Sequence, residues 1–502
     1  MPARTQIKQQ LAATPLDLLI IGGGIVGAGI ARDAAMRGLR TGLVEQYDFA
    51  FGTSSRSSRL LHGGLRYLAQ GHIGLVREAS REKHVLQKIA PHLTQPLAFV
   101  FPTYRGTLWP RWKLGIGVKI YDWLCGHGNL GKSSTLSIKQ TLDILGRGQA
   151  ALETSGLTGA VRYYDALTQD ARLVLDTLRS ASRHGALVCN YMRMNEASKI
   201  GETWHCRCST STDATAESGF DIQARCVVSA AGPWAGKLPR NTLGLRLTKG
   251  VHVVIERQRL PVPDAVVLAE GSRILFAIPW GERVILGTTD TDYKDTAEKA
   301  LAEVQAEAQD IAYILAVVNK TFPQARLCEQ DVRSTWAGLR PLIANPKNGA
   351  PSDISRSHEI IMSEPGWLEA AGGKLTTYRL MAEQSVDMIE RYLLARTSAC
   401  HTAAEPLLAK EELDVFSSIV PPAVTRAAVE HYCRNEWAVK LNDIMLRRGG
   451  WLHYVPDQQA VARQVAEWMA EILGWDERRL QDEIISCIGL GCITGLATAT
   501  RP

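Results

Sequence analysis

Apolar positions near the start of the chain form a short unbroken run that leads into a glycine-rich turn. Residues 18–21 are all aliphatic, which is typical of a strand buried on both faces of a parallel sheet. Residues 22–27 read GGGIVG, and a helical pattern follows until Gly38, a residue type that commonly ends helices. A second aliphatic stretch, residues 41–44, precedes Glu45. The order strand, glycine turn, helix, strand predicts a β-α-β unit.

Three longer stretches carry other periodicities. Residues 297–319 are rich in Ala, Glu and Gln, which predicts one long helix. Residues 109–124 mix Trp, Tyr, Lys and Arg with aliphatics, as interfacial elements do, but their alternation from Trp112 to Ile120 would also suit a strand. Near the C-terminus, apolar residues recur along one helical face; they are Val461, Val465, Trp468, Met469 and Ile472.

The composition is that of an ordinary globular protein. Of the 502 residues, 45% are hydrophobic and 22% are charged, so the chain can bury a large core and is not expected to be disordered. The net charge of +6 fits an anionic ligand or an anionic membrane surface, but no Lys/Arg block is dense enough to predict nucleic-acid binding. The 10 cysteines lack zinc or redox spacing, so we expect reduced thiols in the cytoplasm and no metal site. No apolar stretch predicts a signal peptide or a transmembrane helix.

The glycine turn has the residue types that a dinucleotide site needs. Gly22 allows the tight turn, Gly24 lets the backbone approach a pyrophosphate, and Gly27 lets the helix pack against the strand. The helix N-terminus offers N–H groups and the positive end of its dipole to phosphate. Glu45 has the spacing of an acid that accepts hydrogen bonds from ribose hydroxyls. The motif predicts a dinucleotide without a 2′-phosphate and leaves NAD and FAD as alternatives.

Residues 52–68 form a hydroxyl- and glycine-rich loop that could donate hydrogen bonds to phosphate and ribityl oxygens, or could simply be solvated. Their sequence, GTSSRSSRLLHGGLRYL, closely resembles the signature of the FAD-dependent glycerol-3-phosphate dehydrogenases, which are membrane-associated respiratory enzymes. Val26 and Arg59 depart mildly from the commoner residues of that family. The resemblance continues, in order, through RYYD (162–165), DARL (170–173), VVSAAGPW (227–234), TKGVH (248–252), FAIPW (276–280), LGTTD (286–290), WAGLRPL (336–342) and GGKLTTYR (372–379).

This resemblance implies an α/β fold in which a Rossmann-like FAD-binding domain is interleaved with an α+β substrate domain and followed by a helical C-terminal domain. We therefore predict a polar lead-in at 1–16, the FAD-dependent oxidoreductase domain at 17–395, a linker at 396–412 and the helical domain at 413–502. The sequence shows no calcium-binding loop of the mitochondrial relatives, no transit peptide and no appended cysteine cluster. Those features favour an aerobic bacterial enzyme.

The resemblance also implies which residues contact FAD, which we expect to bind non-covalently. They are Gly22, Gly24, Gly27, Glu45, Thr53, Ser54, Ser57, Gly63, Ala231, Gly232, Gly373 and Leu375.

The implied reaction is oxidation of sn-glycerol 3-phosphate to dihydroxyacetone phosphate, with hydride transfer from C2 to N5 of the flavin. His252 is the expected base, since an imidazole that titrates near about pH 6.5 can accept the hydroxyl proton. His62 and Lys374 are alternative bases. Arg340 or Lys374 would stabilise the developing alkoxide. The residues expected to bind substrate are Arg66, Tyr67, Arg356 and Thr376, with Arg340 and Arg356 on the phosphate.

The electrons are expected to reach a membrane quinone. The resemblance then implies a protein bound peripherally to the inner face of the bacterial cytoplasmic membrane, and a homodimer is left open. Residues 109–124 would meet the anionic lipid surface through their aromatic rings and through Arg111, Lys113 and Lys119; a buried element is the alternative. The rival functions are a glycerol-3-phosphate oxidase that uses O₂, a related FAD-dependent amine oxidase and a non-catalytic flavoprotein.

Overall fold

Two β-sheets dominate the computed structural model, which describes residues 4–64, 73–126, 129–210, 219–344, 358–413 and 415–491. Within these residues one sheet has 8 strands and the other has 10. Strands and helices are numbered separately in chain order.

The first sheet has a parallel centre with antiparallel strands added to it. Its strands are β1 (Leu16–Ile21), β2 (Thr41–Val44), β7 (Leu187–Cys189), β8 (Met192–Ile200), β9 (Thr203–Thr210), β10 (Phe220–Ser229), β17 (His358–Glu364) and β18 (Trp367–Gly372). The strand order is β17-β18-β10-β1-β2-β7, and the β8–β9 hairpin pairs with β10. Neighbours from β18 to β7 are parallel, as the predicted β-α-β unit requires.

The second sheet is mostly antiparallel. Its strands are β3 (Leu60–Leu61), β4 (Gln95–Tyr104), β5 (Ser134–Leu136), β6 (Leu157–Leu167), β11 (Leu245–Glu256), β12 (Ala265–Glu270), β13 (Arg273–Trp280), β14 (Arg283–Gly287), β15 (Thr291–Tyr293) and β16 (Val332–Ile343). The order is β15-β11-β14-β13-β12-β4-β6-β3, with β16 paired to β11 and β5 to β6.

Helices pack on both sheets and build the C-terminal part. They are α1 (Arg4–Ala13), α2 (Ile25–Met36), α3 (Ile73–Ile89), α4 (Arg111–Cys125), α5 (Ile138–Leu145), α6 (Asp170–Arg183), α7 (Glu298–Ala302), α8 (Ala308–Thr321), α9 (Tyr378–Leu393), α10 (Arg426–Asn435), α11 (Gln458–Leu473) and α12 (Glu477–Gly491). A π-helical turn, Asp443–Arg448, precedes α11. Among the described residues, no helix combines the length and the apolar character needed to cross a bilayer.

Strand β1 lies inside the first sheet because its side chains are apolar on both faces. Leu19 and Ile20 are fully buried and lie opposite Val227 and Val228 of β10. Ile20 belongs to the core shared with α2, α6 and α9, whereas Leu19 belongs to the core on the opposite face. The predicted first strand and the helix after it are thus confirmed.

Strand β11 brings the second sheet to the cavity described below. It pairs with β14, β15 and β16. The register with β16 places His252 opposite Trp336 and Thr248 opposite Arg340. Two motifs that lie far apart in the sequence therefore share one patch of sheet.

The C-terminal helices have their own apolar core, and the predicted apolar face of α11 is confirmed. Val465 and Met469 are fully buried, and the other members of that face pack partly buried on the same cluster. Buried ion pairs tie this core to the first sheet. Arg172 on α6 pairs with Glu436, and Arg448 pairs with Asp48 after β2.

Part of the predicted lead-in is the helix α1, because Ile7 and Leu11, four residues apart, are buried on one face against the first sheet.

One expectation about helices was wrong. The long helix expected at 297–319 is two helices, α7 and α8. Glu307 starts α8 through a capping box with Asp310, which begins a new helix instead of continuing the old one.

The structure also defines two further segments. The sequence of residues 109–124 left a helix and a strand as alternatives, and the structure forms helix α4 from Arg111 to Cys125. The predicted linker, residues 396–412, lies against α2, where Arg32 donates to the carbonyl oxygens of Thr402 at 3.1 Å and Glu405 at 2.7 Å. Leu407 is fully buried in the core of the first sheet. The linker therefore packs as part of the fold.

Candidate active site

A cavity of about 1020 Å³ lies where the two sheets meet. Gly24 and Glu45 reach it from the carboxyl ends of the parallel strands β1 and β2, the usual ligand-binding edge of such sheets. His252 on β11 and Arg340 on β16 reach it from the second sheet.

Most residues predicted from the sequence line this one cavity. They are Gly22, Gly24, Glu45, Thr53, Ser54, Ser57, Ala231, Gly232, His252, Arg340, Gly373, Lys374, Leu375 and Thr376, together with the alternative base His62. Gly27 and Gly63 make close contacts behind the wall. Arg66, Tyr67 and Arg356 lie outside the described residues.

Close backbone contacts shape the glycine turn after β1. Gly22 has a φ of +113°, and a Cβ there would lie 2.5 Å from the carbonyl oxygen of Ala230. A Cβ on Gly27 would lie 2.0 Å from the carbonyl oxygen of Gly22, so this glycine lets α2 approach the turn. Gly24 precedes the first helical residue and lines the cavity. The N-terminus of α2 therefore opens on the cavity, where it can meet an anion.

Glu45 joins the turn to the end of β2. Its Oε2 accepts a hydrogen bond from the N–H of Gly23 at 2.7 Å, and its Oε1 accepts one from the N–H of Tyr47 at 2.8 Å. Desolvation raises the pKa of Glu45 to about 7, against the lowering effect of these two N–H groups. Each carboxylate oxygen keeps a second lone pair, so the predicted contact with ribose hydroxyls remains available.

Hydroxyl groups fix the loop that follows the second strand. Ser54 Oγ accepts a hydrogen bond from the N–H of Ile25 at 3.0 Å, at the start of α2. Thr53 Oγ1 donates to a carbonyl of β16 at 2.5 Å. Ser57 Oγ donates to Asp170, at the start of α6, at 2.7 Å. These hydroxyls hold the loop against three other elements, which rules out a simply solvated loop.

Two segments complete the wall beside the glycine turn. Ala231 and Gly232 follow β10, and residues 373–376 follow β18. Thr376 Oγ1 accepts a hydrogen bond from the N–H of His62 at 3.1 Å. The predicted substrate residue Thr376 thus also anchors the main chain at His62.

His252 is buried in the wall formed by the second sheet. Its ring stacks on Trp336 with centroids 5.1 Å apart, and Nε2 lies 2.8 Å from Ser58 Oγ. Nδ1 has no hydrogen-bond partner among the described residues. Burial, with the charges of Arg340 and Arg59, lowers the pKa of His252 well below 6.5. The expectation of a titration near that value needs correction, since the imidazole stays neutral over a wider pH range and is a weaker base.

Arg340 is a fixed cation on the same wall. Nη2 donates to Thr288 Oγ1 at 2.9 Å, and Nη1 pairs with Asp290 Oδ1 at 3.1 Å. A Cβ on Gly250 would lie 2.2 Å from Nη2, so the glycine makes room for the guanidinium. The arrangement holds a charge where it can meet an anionic substrate.

Sequence reasoning missed Ser58, Asp290, Gly250 and Asp165. All four line the cavity, and each lies in a segment that the resemblance covers. Their partners are distant in the chain, and no local pattern reveals the pairing. The one indication in the sequence is that each of them lies among motif residues of the family.

The residues present fit a dinucleotide. The N-terminus of α2 can take a pyrophosphate, and Glu45 can take a ribose. The cavity volume of about 1020 Å³ lies just above the range of about 300–1,000 Å³ for drug-sized ligands, as expected of a site for a larger cofactor.

Comparisons with known proteins agree with this geometry. Residues 17–379 match the FAD-dependent oxidoreductase family, and residues 403–480 match the C-terminal domain of alpha-glycerophosphate oxidase. An aerobic glycerol-3-phosphate dehydrogenase of Staphylococcus aureus is 39% identical over 397 residues, which are 78% of this chain and 70% of that protein.

Solved structures show the same fold. The FAD complex of a glycerol-3-phosphate dehydrogenase from Bacillus halodurans superposes with a TM-score of 0.77 at 30% identity and covers 97% of both chains. An L-alpha-glycerophosphate oxidase from Mycoplasma pneumoniae, at 16% identity and a TM-score of 0.58, shares the fold over 77% of this chain and 96% of its own. The predicted α/β architecture with a helical C-terminal domain is confirmed.

Proposed function

The chain belongs to the FAD-dependent glycerol-3-phosphate dehydrogenase family, with FAD as its cofactor, and we propose that it oxidises sn-glycerol 3-phosphate to dihydroxyacetone phosphate and passes the electrons to a membrane quinone. The observation that carries this proposal is the single cavity that joins the glycine turn to His252, Arg340 and Lys374. A dinucleotide turn alone would fit many oxidoreductases. A phosphorylated alcohol needs a base for its hydroxyl proton and cations for its phosphate, and this cavity brings candidates for both together.

FAD would be held by the glycine turn, by Glu45 and by the segments after β10 and β18. Bound there, it supplies an acceptor for the hydride that leaves C2 of the alcohol. In the hydroxyl-rich loop, Ser54 Oγ accepts a hydrogen bond from Ile25, so its O–H could still donate to a phosphate. The O–H groups of Thr53 and Ser57 already donate within the protein.

His252 would accept the proton of the substrate's C2 hydroxyl. Its pKa lies well below 6.5, so the imidazole is unprotonated at neutral pH and can act as a base. Ser58, 2.8 Å from Nε2, sets the orientation of the ring. The stack on Trp336 restricts the ring further.

Cations would recognise the phosphate and stabilise the alkoxide. Arg340 is held by Thr288 and Asp290 before substrate arrives, so little side-chain freedom is lost on binding. Lys374 lies on the same cavity wall. Arg356 and Arg66 carry the same role by resemblance, with Tyr67 and Thr376 as further contacts.

Helix α4 gives the proposed enzyme a surface for lipid. Trp112, Ile116, Ile120 and Trp123 recur at spacings of four, four and three residues and are 70%, 55%, 39% and 79% exposed. A helix with such a face lies in the interface of a bilayer instead of crossing it. Ile116 and Ile120 also line the cavity, so a lipid-soluble acceptor would approach from the surface where the enzyme docks. In a bacterial cell that surface would be the inner face of the cytoplasmic membrane.

The basic residues of α4 contribute less to the proposed attachment to anionic lipid than we expect from the sequence. Arg111 donates to the carbonyl of Leu136 at 3.2 Å, and Lys119 donates to the carbonyl of Ser133 at 2.8 Å. Lys113 lines the cavity. The apolar face therefore carries most of the proposed attachment, with anionic lipid as a secondary partner.

Reduction of the purified yellow protein by glycerol 3-phosphate under argon tests the proposal. We expect the flavin to bleach with glycerol 3-phosphate and to reoxidise when a quinone analogue is added. Rapid reoxidation by O₂ with stoichiometric peroxide would instead support the oxidase function that the C-terminal domain match suggests. Bleaching by glycine or sarcosine, but not by glycerol 3-phosphate, would favour an amine oxidase and overturn the proposal.

A further inference from the structure

Three buried polar side chains meet behind the cavity wall at Gly63. Lys83 Nζ on α3 donates to Asp165 Oδ1 on β6 at 2.7 Å, and Tyr121 Oη on α4 donates to the same oxygen at 2.6 Å. The N–H of Gly63 points at both acceptors, at 3.1 Å from Tyr121 Oη and 3.1 Å from Asp165 Oδ1. Side chains from α4 and β6 thus meet one backbone amide, and Lys83 of α3 donates to both of them.

The contact at Gly63 is close enough to require glycine. A Cβ there would lie 2.2 Å from Tyr121 Oη. The family resemblance predicts that Gly63 contacts the cofactor, and the structure adds Tyr121 as a neighbour of this position. His62 and Gly64 on either side line the cavity, as does Asp165 itself. The polar cluster therefore belongs to the cavity wall through Asp165, while Lys83 and Tyr121 lie behind it.

Burial of the charged side chains in this cluster costs more free energy than a purely structural contact requires. The side chains of Lys83 and Asp165 are 0% and 4% exposed, and taking two charges out of water costs several kcal/mol per ion. Burial and the nearby Asp165 raise the pKa of Tyr121 well above 10, so its hydroxyl remains a donor. Apolar side chains of similar volume would often be at least as stabilising. They could not, however, hold a backbone N–H in place.

We propose that Lys83, Tyr121 and Asp165 are positioning residues that fix the main chain of residues 62–64 so that the cavity wall is preformed for substrate. The proposal rests on the proposed function, because its main readout is oxidation of glycerol 3-phosphate. Thr376 holds His62 from the other side. Tyr121 lies on α4, so the same cluster ties the helix with the exposed apolar face to the active-site wall.

Tyr121→Phe tests the cluster, with Tyr432→Phe as the matched control. Tyr432 is also fully buried and donates one hydrogen bond, to the carbonyl of Phe416 at 3.1 Å, but it lies in the C-terminal core. We expect both variants to keep FAD and to lose similar thermal stability. Tyr121→Phe alone should raise KM for glycerol 3-phosphate and lower kcat/KM by at least about tenfold, within the range of about 100-fold that a 1 Å misplacement can cause. A kcat/KM equal to that of Tyr432→Phe would overturn the proposal.

A second pair of variants keeps the test decisive if Tyr121→Phe does not fold. Lys83→Met with Asp165→Leu removes both charges together and should leave stability unchanged or higher. Asp165 Oδ1 is one of the two acceptors of the Gly63 N–H and also the acceptor that holds Tyr121 Oη. Because it is lost, we expect kcat/KM to fall and amide exchange at Gly63 to accelerate. The double variant Lys83→Met with Asp165→Asn keeps an Oδ1 acceptor. It should therefore recover most of the kcat/KM and most of the protection of the Gly63 amide from exchange. Full activity in the Leu variant would show that the cluster only fills space.

The failure of this proposal and the failure of the proposed function give different results. Wild-type protein that glycerol 3-phosphate does not reduce refutes the function. In that case amide exchange at Gly63 and the visible circular dichroism of the flavin, compared between the Leu and Asn variants, still decide the positioning role.

Discussion

Ser58 Oγ lies 2.8 Å from Nε2 of His252, although the two residues are 194 positions apart in the chain. The loop after the second strand of the nucleotide-binding unit therefore reaches strand β11 of the other sheet. The sequence predicts that this loop contacts both cofactor and substrate and carries His62 as an alternative base. The contact with His252 adds a further role, which is to orient the proposed base.

Replacing His252 with Ala should lower the rate of flavin reduction by glycerol 3-phosphate by about 10²–10⁴-fold, the range for loss of a general base. FAD content should stay normal, since the glycine turn is untouched. Ser58→Ala should lower the rate by only about 2- to 13-fold, which corresponds to one hydrogen bond worth about 0.5–1.5 kcal/mol. Stopped-flow bleaching under argon measures both.

The outcome for His252 also separates the alternative bases. A His252→Ala variant that bleaches at the wild-type rate would move the role to His62 or Lys374. A Ser58→Ala variant as slow as His252→Ala would mean that the serine does more than orient the ring.

Gly27→Ala should abolish stable FAD binding. The new Cβ would lie 2.0 Å from the carbonyl oxygen of Gly22, which is part of the turn that faces the cavity. Backbone atoms cannot yield as a flexible side chain can, so the turn itself must shift. Gly489→Ala is the control, because that exposed helical glycine has no atom within 4 Å of an added Cβ. Absorbance at the flavin maximum after gel filtration measures the FAD content.

Denaturation of wild-type protein provides a second check on the same site. We expect the flavin to be released into the supernatant, because the proposed contacts are hydrogen bonds and helix-dipole interactions. Flavin that stays with the precipitated chain would refute non-covalent binding.

The sequence predicted the nucleotide-binding unit and missed contacts between distant segments. The β1–α2 unit could be predicted because the strand, the glycines and the helix follow one another in the sequence. The pairs Ser58–His252 and Lys83–Asp165 could not, since they depend on how two sheets meet. The family resemblance brought many cavity residues together without showing what each side chain touches.

Helix α4 shows why a pattern can mislead. Leu114 and Val118 are buried on its inner face, whereas Trp112, Ile116 and Ile120 are exposed on its outer face. A helix that is apolar on two opposite faces shows the strict alternation of a strand. The ambiguity in the sequence therefore reflects a helix with two apolar surfaces.

Arg340→Met should weaken binding of glycerol 3-phosphate by about 1.5–3 kcal/mol, the value of a charge-assisted hydrogen bond. Arg356→Ala should in addition reduce the preference for glycerol 3-phosphate over glycerol. Arg434→Ala is the control, since this exposed arginine pairs with Glu430 on the same C-terminal helix and does not line the cavity. The ratio of kcat/KM for the two alcohols measures the preference, and an unchanged ratio in both site variants would remove the arginines from the phosphate.

His453 should make the protein less stable as the pH falls below about 6.5. Burial, with Arg59 and Arg56, lowers its pKa to about 3, whereas the unfolded chain has the ordinary value of 6.5. Between these values the unfolded state binds a proton that the folded state does not, so the free energy of unfolding falls with falling pH. The stabilisation is complete above pH 6.5 and is lost progressively towards pH 3, by up to about 1.4 kcal/mol per pH unit.

His453→Gln should flatten this dependence, because glutamine does not titrate. Urea unfolding midpoints at pH 7, 6, 5 and 4 compare the slopes of the two proteins. Parallel slopes would mean that His453 becomes protonated in the folded state as readily as in the unfolded chain.

Trp112→Ser combined with Trp123→Ser should detach the protein from lipid vesicles. Both indoles project from the outer face of α4, and burial of a large apolar side chain is worth about 1.5–3 kcal/mol, so losing two should lower partitioning at least about tenfold. Salt should not imitate the effect, since it screens charges but leaves apolar contact intact. Ile200→Ser with Ile485→Ser is the matched control, because these side chains are 64% and 68% exposed on other elements. Flavin reduction by glycerol 3-phosphate should stay at the wild-type rate in both double variants, while reduction of a vesicle-bound quinone should slow only in the tryptophan variant. If that variant sediments with vesicles as fully as the isoleucine control, α4 is not the docking element, and the link between its apolar face and the cavity mouth has no role in delivering electrons.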